Sequence, residues 1–305
     1  LSISTFSEIA ALLQTPEAML ARLSKESDRL YGYMEIPRAG RAPRIIRPPH
    51  KQLRFVQRLL LDSLYQHVRM PRFVHGGVPG RSILSHARLH VSRQLVATFD
   101  VRDFFPTISS SKVRTVLGNL GFAGEALAAA TRLTTFEDQI PQGAPTSPLL
   151  ANLAFDEIDR RLYAMARRHG LHYSRYVDDV AMSGDADFIG MKGTIIDLIE
   201  SGGFKTAPDK IHFMPSTNRQ VVTGLVVNSR MKPTPEFVGD LKDLIYVAIE
   251  SGVDAAAALE GVQPAQLKKR LNGRVSHVEQ CDPEAGARLR QLLFGVPWRG
   301  RPTFA

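Results

Sequence analysis

Two adjacent carboxylates, Asp178 and Asp179, sit inside a short apolar run from Tyr173 to Met182 that otherwise reads as β-structure. Burying unpaired charge is costly. A divalent cation offsets that cost, and Mg²⁺ commonly binds through one or two carboxylates plus substrate phosphates. A second acid-bearing strand lies upstream, from Leu95 to Phe105, and carries Asp100 and Asp103. If the two strands are neighbours, Asp100 and Asp178 can face one pair of metals. Such a pair clamps the attacking and leaving oxygens of an in-line phosphoryl displacement. The chemistry expected is therefore nucleotidyl transfer. Taken alone, the Asp-Asp pair fits an ordinary hairpin turn better, since Asp is common in turns; the rest of the chain reverses that weighting.

The elements that must position these acids can be read from periodicity. Ser4 to Leu30 carries Ile9, Leu12, Leu13, Leu20 and Leu23 at helical spacings and predicts an amphipathic helix. The Pro-, Gly- and Arg-rich stretch from Tyr31 to Pro49 predicts a hairpin and loop. Lys51 to Val68 predicts a helix with an apolar stripe of Leu53, Val56, Leu60 and Leu64. Lys51, Arg54 and Arg58 form a basic stripe on another face. A solvated face would look the same, but Arg44, Arg47 and the net charge favour phosphate contact. Phe73 to Arg81 is a glycine-rich loop without a P-loop pattern, which excludes a P-loop nucleotide-triphosphatase. Ser147 is expected to cap a helix with Pro148 at its first position, running to about His169 and stopped by Gly170. A hairpin through Asp178-Asp179 follows, then a helix near Phe188 to Ser201 and a β-branched strand from Val221 to Val227. From Pro235 the chain reads as helical, with a second cap-and-proline start at Asp282-Pro283. Strands at 95–101, 173–177, 179–183 and 221–227 with helices between them predict an α+β fold with a ferredoxin-like sheet.

Composition narrows the class. In 305 residues, 44% are hydrophobic and 23% charged, as in soluble globular proteins. The net charge of +9, from 39 basic and 30 acidic residues, favours polyanionic partners, nucleic acid first. Cys281 is the only cysteine, which excludes an internal disulfide and a cysteine-held zinc. Both exclusions suit a reducing cytoplasm, the expected location, and no apolar run reaches the length of a membrane span, so no membrane is expected as a partner.

Several motifs fall into one order: Phe99-Asp100-Val101-Arg102-Asp103-Phe104-Phe105, Pro141-Gln142-Gly143-Ala144-Pro145-Thr146-Ser147-Pro148, Tyr176-Val177-Asp178-Asp179, then Lys210. In this series the sequence resembles bacterial reverse transcriptases, most narrowly those of retrons, from about residue 40 to about residue 295. The resemblance implies a right-hand polymerase. Its fingers would be 1–94 with the N-terminal helix, its ferredoxin-like palm 95–232 with 110–146 partly in the fingers, and its helical thumb 233–305. Asp100 and Asp178 would be the principal metal ligands and Asp179 a secondary one. Arg44, Arg47 and Asp103 would lie at the incoming triphosphate, with Gln142 and Gly143 against the nucleotide. Phe105 would be the steric gate that leaves no room for a ribose 2′-hydroxyl. Lys210 would protonate the leaving pyrophosphate. Template and primer would meet Lys51, Arg54, Arg58, His90, Thr223, Gly224, Lys268, Lys269 and Arg270. Val222-Thr223-Gly224-Leu225 matches a retron segment, and Ser85-His86-Ala87-Arg88-Leu89-His90 resembles another, with His86 where asparagine is expected. Val177 stands where bacterial members usually carry alanine.

The implied activity is RNA-templated DNA synthesis with two Mg²⁺ ions, or Mn²⁺ in their place. The implied partners are deoxynucleotides, an RNA–DNA hybrid and a structured non-coding RNA. In a retron, a 2′-hydroxyl of that RNA primes synthesis, and the system serves phage defence beside an effector protein. Other bacterial reverse transcriptases, from diversity-generating, CRISPR-linked or further defence systems, share the main motifs. A non-catalytic RNA-binding scaffold is opposed by the intact Asp100, Asp178, Asp179, Gln142 and Phe105. RNA synthesis is opposed by Phe105.

Overall fold

The computed structural model describes residues 2–38 and 41–298; the outermost ends of the expected fingers and thumb lie outside them. The N-terminal run is not one helix. It breaks into α1 (Phe6–Leu12), α2 (Glu17–Lys25) and a 3₁₀ turn at Ser27–Leu30. Gln14 turns left-handed with φ 47° and Pro16 caps α2. Proline disfavours a helical residue before it, which explains the break. β1 (Met34–Arg38) and β2 (Arg41–Ile46) form the expected hairpin, and α3 (Lys51–His67) the expected helix. The glycine-rich loop then leads through α4 (Ile83–Ala87) and a 3₁₀ turn (Arg88–His90) to β3 (Leu95–Arg102).

After β3 come α5 (Ser110–Asn119), α6 (Gly124–Thr134) and the long α7 (Ser147–Arg168), then β4 (His172–Tyr176) and β5 (Asp179–Gly184). α8 (Lys192–Glu200) precedes the short strands β6 (Lys205–Thr206) and β7 (His212–Pro215). The central sheet is antiparallel, in the order β4-β5-β3. Along the far edge of β3, β7 pairs Leu95 to Thr98 and β6 pairs Val101 and Arg102. A β-branched run thus does not supply the strand beside β3; β6 and β7 do. Val221 to Val227 folds instead into a separate hairpin, β8 (Val221–Val222) and β9 (Leu225–Val226), joined by β10 (Lys232–Pro233) in its own small sheet. The reason lies in Thr223 and Gly224, with φ of 46° and 81°. Positive φ at both central residues makes a tight hairpin turn and ends the strand. Ser147 is likewise not the cap of α7. Thr146 takes the N-cap position without a side-chain bond, and Ser147 Oγ donates to the Pro141 carbonyl at 2.7 Å.

Among the described residues, four helices follow: α9 (Pro235–Glu250), α10 (Val253–Leu259), α11 (Pro264–Cys281) and α12 (Pro283–Phe294). Asp282 caps α12 through the Ala285 amide at 3.2 Å with Pro283 behind it, as expected. These helices bury their own core, with Leu241, Ile245, Leu267, Leu271, Val275 and Val278 at its centre. The main core joins the N-terminal helices, α3 and the central sheet, from Ile3 to Phe204. A third cluster, of Ala87, Val96, Ala181, Val222, Leu225 and Val227, seats the β8–β9 hairpin on the back of β3 and β5. Among the described residues, no helix is long and apolar enough to cross a membrane.

Candidate active site

Register brings the acids together. β3 and β5 pair so that Asp100 stands opposite Asp179, and β4 and β5 pair Tyr176 with Asp179, leaving Val177 and Asp178 as the turn. The Val101 amide donates to the Asp178 carbonyl at 3.0 Å, which ties the turn to β3. Burial, then the charges of Asp178 and Asp100, push Asp179 up to about 7. Asp178 is raised too, chiefly by burial; the Asp100 charge adds to this, while Arg44 and Lys210 oppose it. Lys210 sits in a 3₁₀ turn (Pro208–Lys210) and places Nζ 2.8 Å from both oxygens of Asp100.

These residues suit a divalent cation. Three partly buried carboxylates share one end of the sheet, and burial with neighbouring negative charge makes Asp178 and Asp179 resist ionising. Among the described residues, no three acidic, His or Cys groups converge tightly enough to enclose an ion by themselves. A site completed by substrate phosphates matches how Mg²⁺ is usually held.

A cavity of about 430 Å³ is lined by Arg54, Arg58, Phe105, Gly143, Ala144, Pro145, Ser147 and Pro148. It unites the basic stripe of α3 with two motifs far away in sequence. Phe104 is buried against Phe155 and Phe204, whereas Phe105 is only half-buried and lines the cavity. Gly143 has φ 107°, and a Cβ there would lie 2.6 Å from Ile46 Cγ2. That conformation strains any side-chain-bearing residue. The Gln142 carbonyl accepts from the Arg47 amide at 2.7 Å, so the β1–β2 hairpin is fastened to this loop. The Arg47 guanidinium lies between two rings, 4.8 Å from Tyr33 and 4.9 Å from Phe136. Arg44 and Asp103 are exposed, and Asp103 has φ 47°.

The expected nucleic-acid contacts are distributed unequally. Lys51, Arg54 and Arg58 are exposed on one face of α3. Thr223 and Gly224 form the hairpin tip, and Thr223 Oγ1 lies 3.4 Å from His86 Nδ1, so the two short motifs meet. His90 corrects its expected role. It is fully buried, with Nδ1 and Nε2 each 2.7 Å from a serine hydroxyl, Ser183 and Ser174. Such a side chain holds the core and has no atom free for RNA. On α11, Arg270 is paired with Glu260 at 2.6 Å and Lys268 lies 5.5 Å over Trp298. Among the described residues, Lys269 is exposed without a partner.

Sequence reasoning missed Arg175. It is fully buried and bidentate on Asp159 of α7, at 2.9 and 2.6 Å. Its Nη1 also donates to Asn152 Oδ1 at 3.0 Å and to the Val177 carbonyl at 2.7 Å. Tyr173 donates its hydroxyl to the same Asp159. Asn152 Nδ2 in turn donates to the Gly76 carbonyl at 2.9 Å. A charged residue inside the apolar run of β4 was the signal available, since buried charge demands a partner.

A model of the reverse transcriptase (RNA-dependent DNA polymerase) family matches residues 36–230. The chain belongs to the reverse transcriptase family. That family is one of RNA-directed DNA polymerases, the enzyme class expected from the motifs. The retron Mx65 reverse transcriptase of Myxococcus xanthus is 29% identical, over 93% of this chain and 70% of that relative. The retron Mx162 reverse transcriptase of the same organism is 29% identical, over 84% of this chain and 59% of that relative. The retron Se72 reverse transcriptase of Salmonella heidelberg is 25% identical, over 96% of this chain and 80% of that relative. The resemblance to retron reverse transcriptases therefore extends over most of the chain. Among solved structures, telomerase from Candida albicans, in complex with a fragment of telomeric RNA, aligns with a TM-score of 0.50 and 10% identity. It covers 86% of this chain and 59% of that one, and supports the right-hand polymerase fold class.

Proposed function

We propose that this reverse transcriptase makes single-stranded DNA on a structured non-coding RNA, primed from an RNA 2′-hydroxyl, as the polymerase of a cytoplasmic retron in phage defence. The observation that carries the polymerase reading is the strand register that sets Asp100 opposite Asp179, with Asp178 in the adjoining turn. The retron reading rests on Thr223 meeting His86 across the two short motifs, and on the retron relatives.

In this reading Asp100 and Asp178 hold two divalent cations, Mg²⁺ or Mn²⁺, with Asp179 assisting. Bound there, the cations would activate the attacking hydroxyl and neutralise the triphosphate. Residues of the chain do the rest by positioning. Phe105 walls the sugar pocket and refuses a 2′-hydroxyl. Gly143 lets backbone approach the nucleotide, and Gln142 lies beside it. Arg44 and the ring-clamped Arg47 grip the triphosphate, with Asp103 nearby. Lys210, carrying a proton beside Asp100, donates it to the leaving pyrophosphate. Lys51, Arg54, Arg58 and Lys269 meet template and primer phosphates, and the Thr223-Gly224 tip meets the RNA. We assign 1–94 to fingers, 95–232 to palm with 110–146 partly in the fingers, and 233–305 to thumb. The separate core of α9–α12 supports the last division.

Expressed with its native flanking DNA, the protein should co-purify with RNA joined covalently to short single-stranded DNA. RNase should leave DNA with a small RNA stub, and a 2′–5′ debranching enzyme should remove that stub. An enzyme that extends ordinary primers well but carries no branched product contradicts the retron assignment and leaves the polymerase assignment standing.

A further inference from the structure

We propose that Arg175 is a positioning residue for the polymerase reaction, setting the orientation of the Asp178-Asp179 pair through the Val177 carbonyl. This rests on the reading of that pair as the catalytic carboxylates. The turn itself is poorly determined by local preference. Val177 has φ 57°, an outlier for a β-branched residue. Among the described residues of the turn it alone has positive φ, the pattern of a type II′ turn, whose first central position normally holds glycine. Rotating the peptide between Val177 and Asp178 would convert this turn to the I′ form, in which the second central residue also has positive φ. That rotation would turn the Asp178 backbone and swing its carboxylate.

The carbonyl of that very peptide accepts from Arg175 Nη1 at 2.7 Å. Arg175 cannot drift, because it grips both oxygens of Asp159 and reaches Asn152 Oδ1 from inside the core. The guanidinium also lies 4.8 Å over the Phe155 ring. The other side of the turn is held by the glycine-rich loop. A Cβ on Gly76 would lie 2.4 Å from the Val177 amide nitrogen, so the two backbones are in direct contact. Asn152 fixes this loop through the Gly76 carbonyl. One helix, α7, thus supplies Asp159 and Asn152 to clamp the turn from two sides. Lysine at position 175 could keep the ion pair with Asp159. As a point charge without a planar fork, it could not also serve Asn152 and the Val177 carbonyl.

The test compares Arg175→Lys with wild type on a DNA-primed poly(rA) template in single-turnover kinetics, with burst amplitude counting active molecules. The expected result is a polymerisation rate constant lowered roughly tenfold or more. Nucleotide half-saturation and template affinity should stay within about twofold. Amide hydrogen exchange at residues 177–179 should quicken. An unchanged rate constant per active molecule, with losses confined to burst amplitude or melting temperature, overturns the proposal, because the residue then only holds the core. If Arg175→Lys fails to fold, Asn152→Ala decides, since it spares the ion pair. A lowered rate constant at full burst amplitude supports the clamp, and an unchanged one overturns it. Asp178→Asn is the control. Wild-type extension by that variant removes the catalytic reading itself, whereas a dead Asp178→Asn beside a normal Arg175→Lys removes the clamp alone.

Discussion

Phe104 and Phe105 are neighbours in sequence with opposite surroundings. Phe104 joins Phe155 and Phe204 in the core, and Phe105 faces the cavity shared with Arg54, Arg58 and Gly143. Trimming the second ring should therefore alter selectivity rather than stability. In Phe105→Ala, incorporation of ribonucleotides relative to deoxynucleotides should rise by at least about tenfold, a steric effect of about 1.4 kcal/mol. Competitive single-nucleotide insertion measures it, and an unchanged ratio in an active variant would return Phe105 to a packing role. Gly76→Ala should act in the opposite way. Its Cβ would press on the Val177 backbone rather than on a flexible side-chain end. Overpacking of this kind typically costs about 1–3 kcal/mol. Thermal melting should fall and polymerisation should slow together. Asp100, Phe105, Asp178 and Asp179 stood out as candidates because the residues of each motif lie close together in sequence. Arg175 did not, because its partners Asp159 and Asn152 lie on a different element, 16 and 23 positions away.

At the scale of elements, periodicity located α3, α7, the β4–β5 hairpin and the helical tail. It failed at Val221 to Val227, where β-branched residues on both sides concealed a turn at Thr223-Gly224. A residue at positive φ other than glycine or asparagine gives little warning in sequence. The same hairpin rests against a histidine cluster. His75 and His86 have ring centroids 5.6 Å apart, and His86 and His90 are 5.7 Å apart. Burial, with the Arg81 charge, pushes His75 down to about 4. Burial, then the neighbouring His75, pushes His86 down to about 3. Burial also holds His90 well below the ordinary range. The folded protein keeps all three neutral while the unfolded chain takes up protons near pH 6.5. Their contribution to stability is complete above that pH and is lost as pH falls towards about 4 and below. Melting temperature should therefore drop between pH 6.5 and 4. His86→Asn, which restores the residue expected at that position, should flatten this slope. An equal slope in the variant would show that His86 does not contribute to it.

At the scale of the whole molecule, two cores divide the labour. The main core fixes the sheet, α3 and α7 around the acids, while α9–α12 pack among themselves. On the proposed reading, the excess of nine positive charges and the exposed cations of α3 would provide affinity for phosphates that does not depend on the acids. Chemistry and binding should therefore separate. The decisive measurement is primer extension and filter binding on the same preparation of Asp100→Asn and of Asp178→Asn, with a DNA-primed RNA template. Deoxynucleotide incorporation should fall by at least about 10³-fold in each variant, as expected when a charge-neutralising site loses a ligand. Affinity for the template should change by no more than about threefold, since phosphate contacts carry it. Near-wild-type extension by either variant would contradict the assignment of these carboxylates as the catalytic centre.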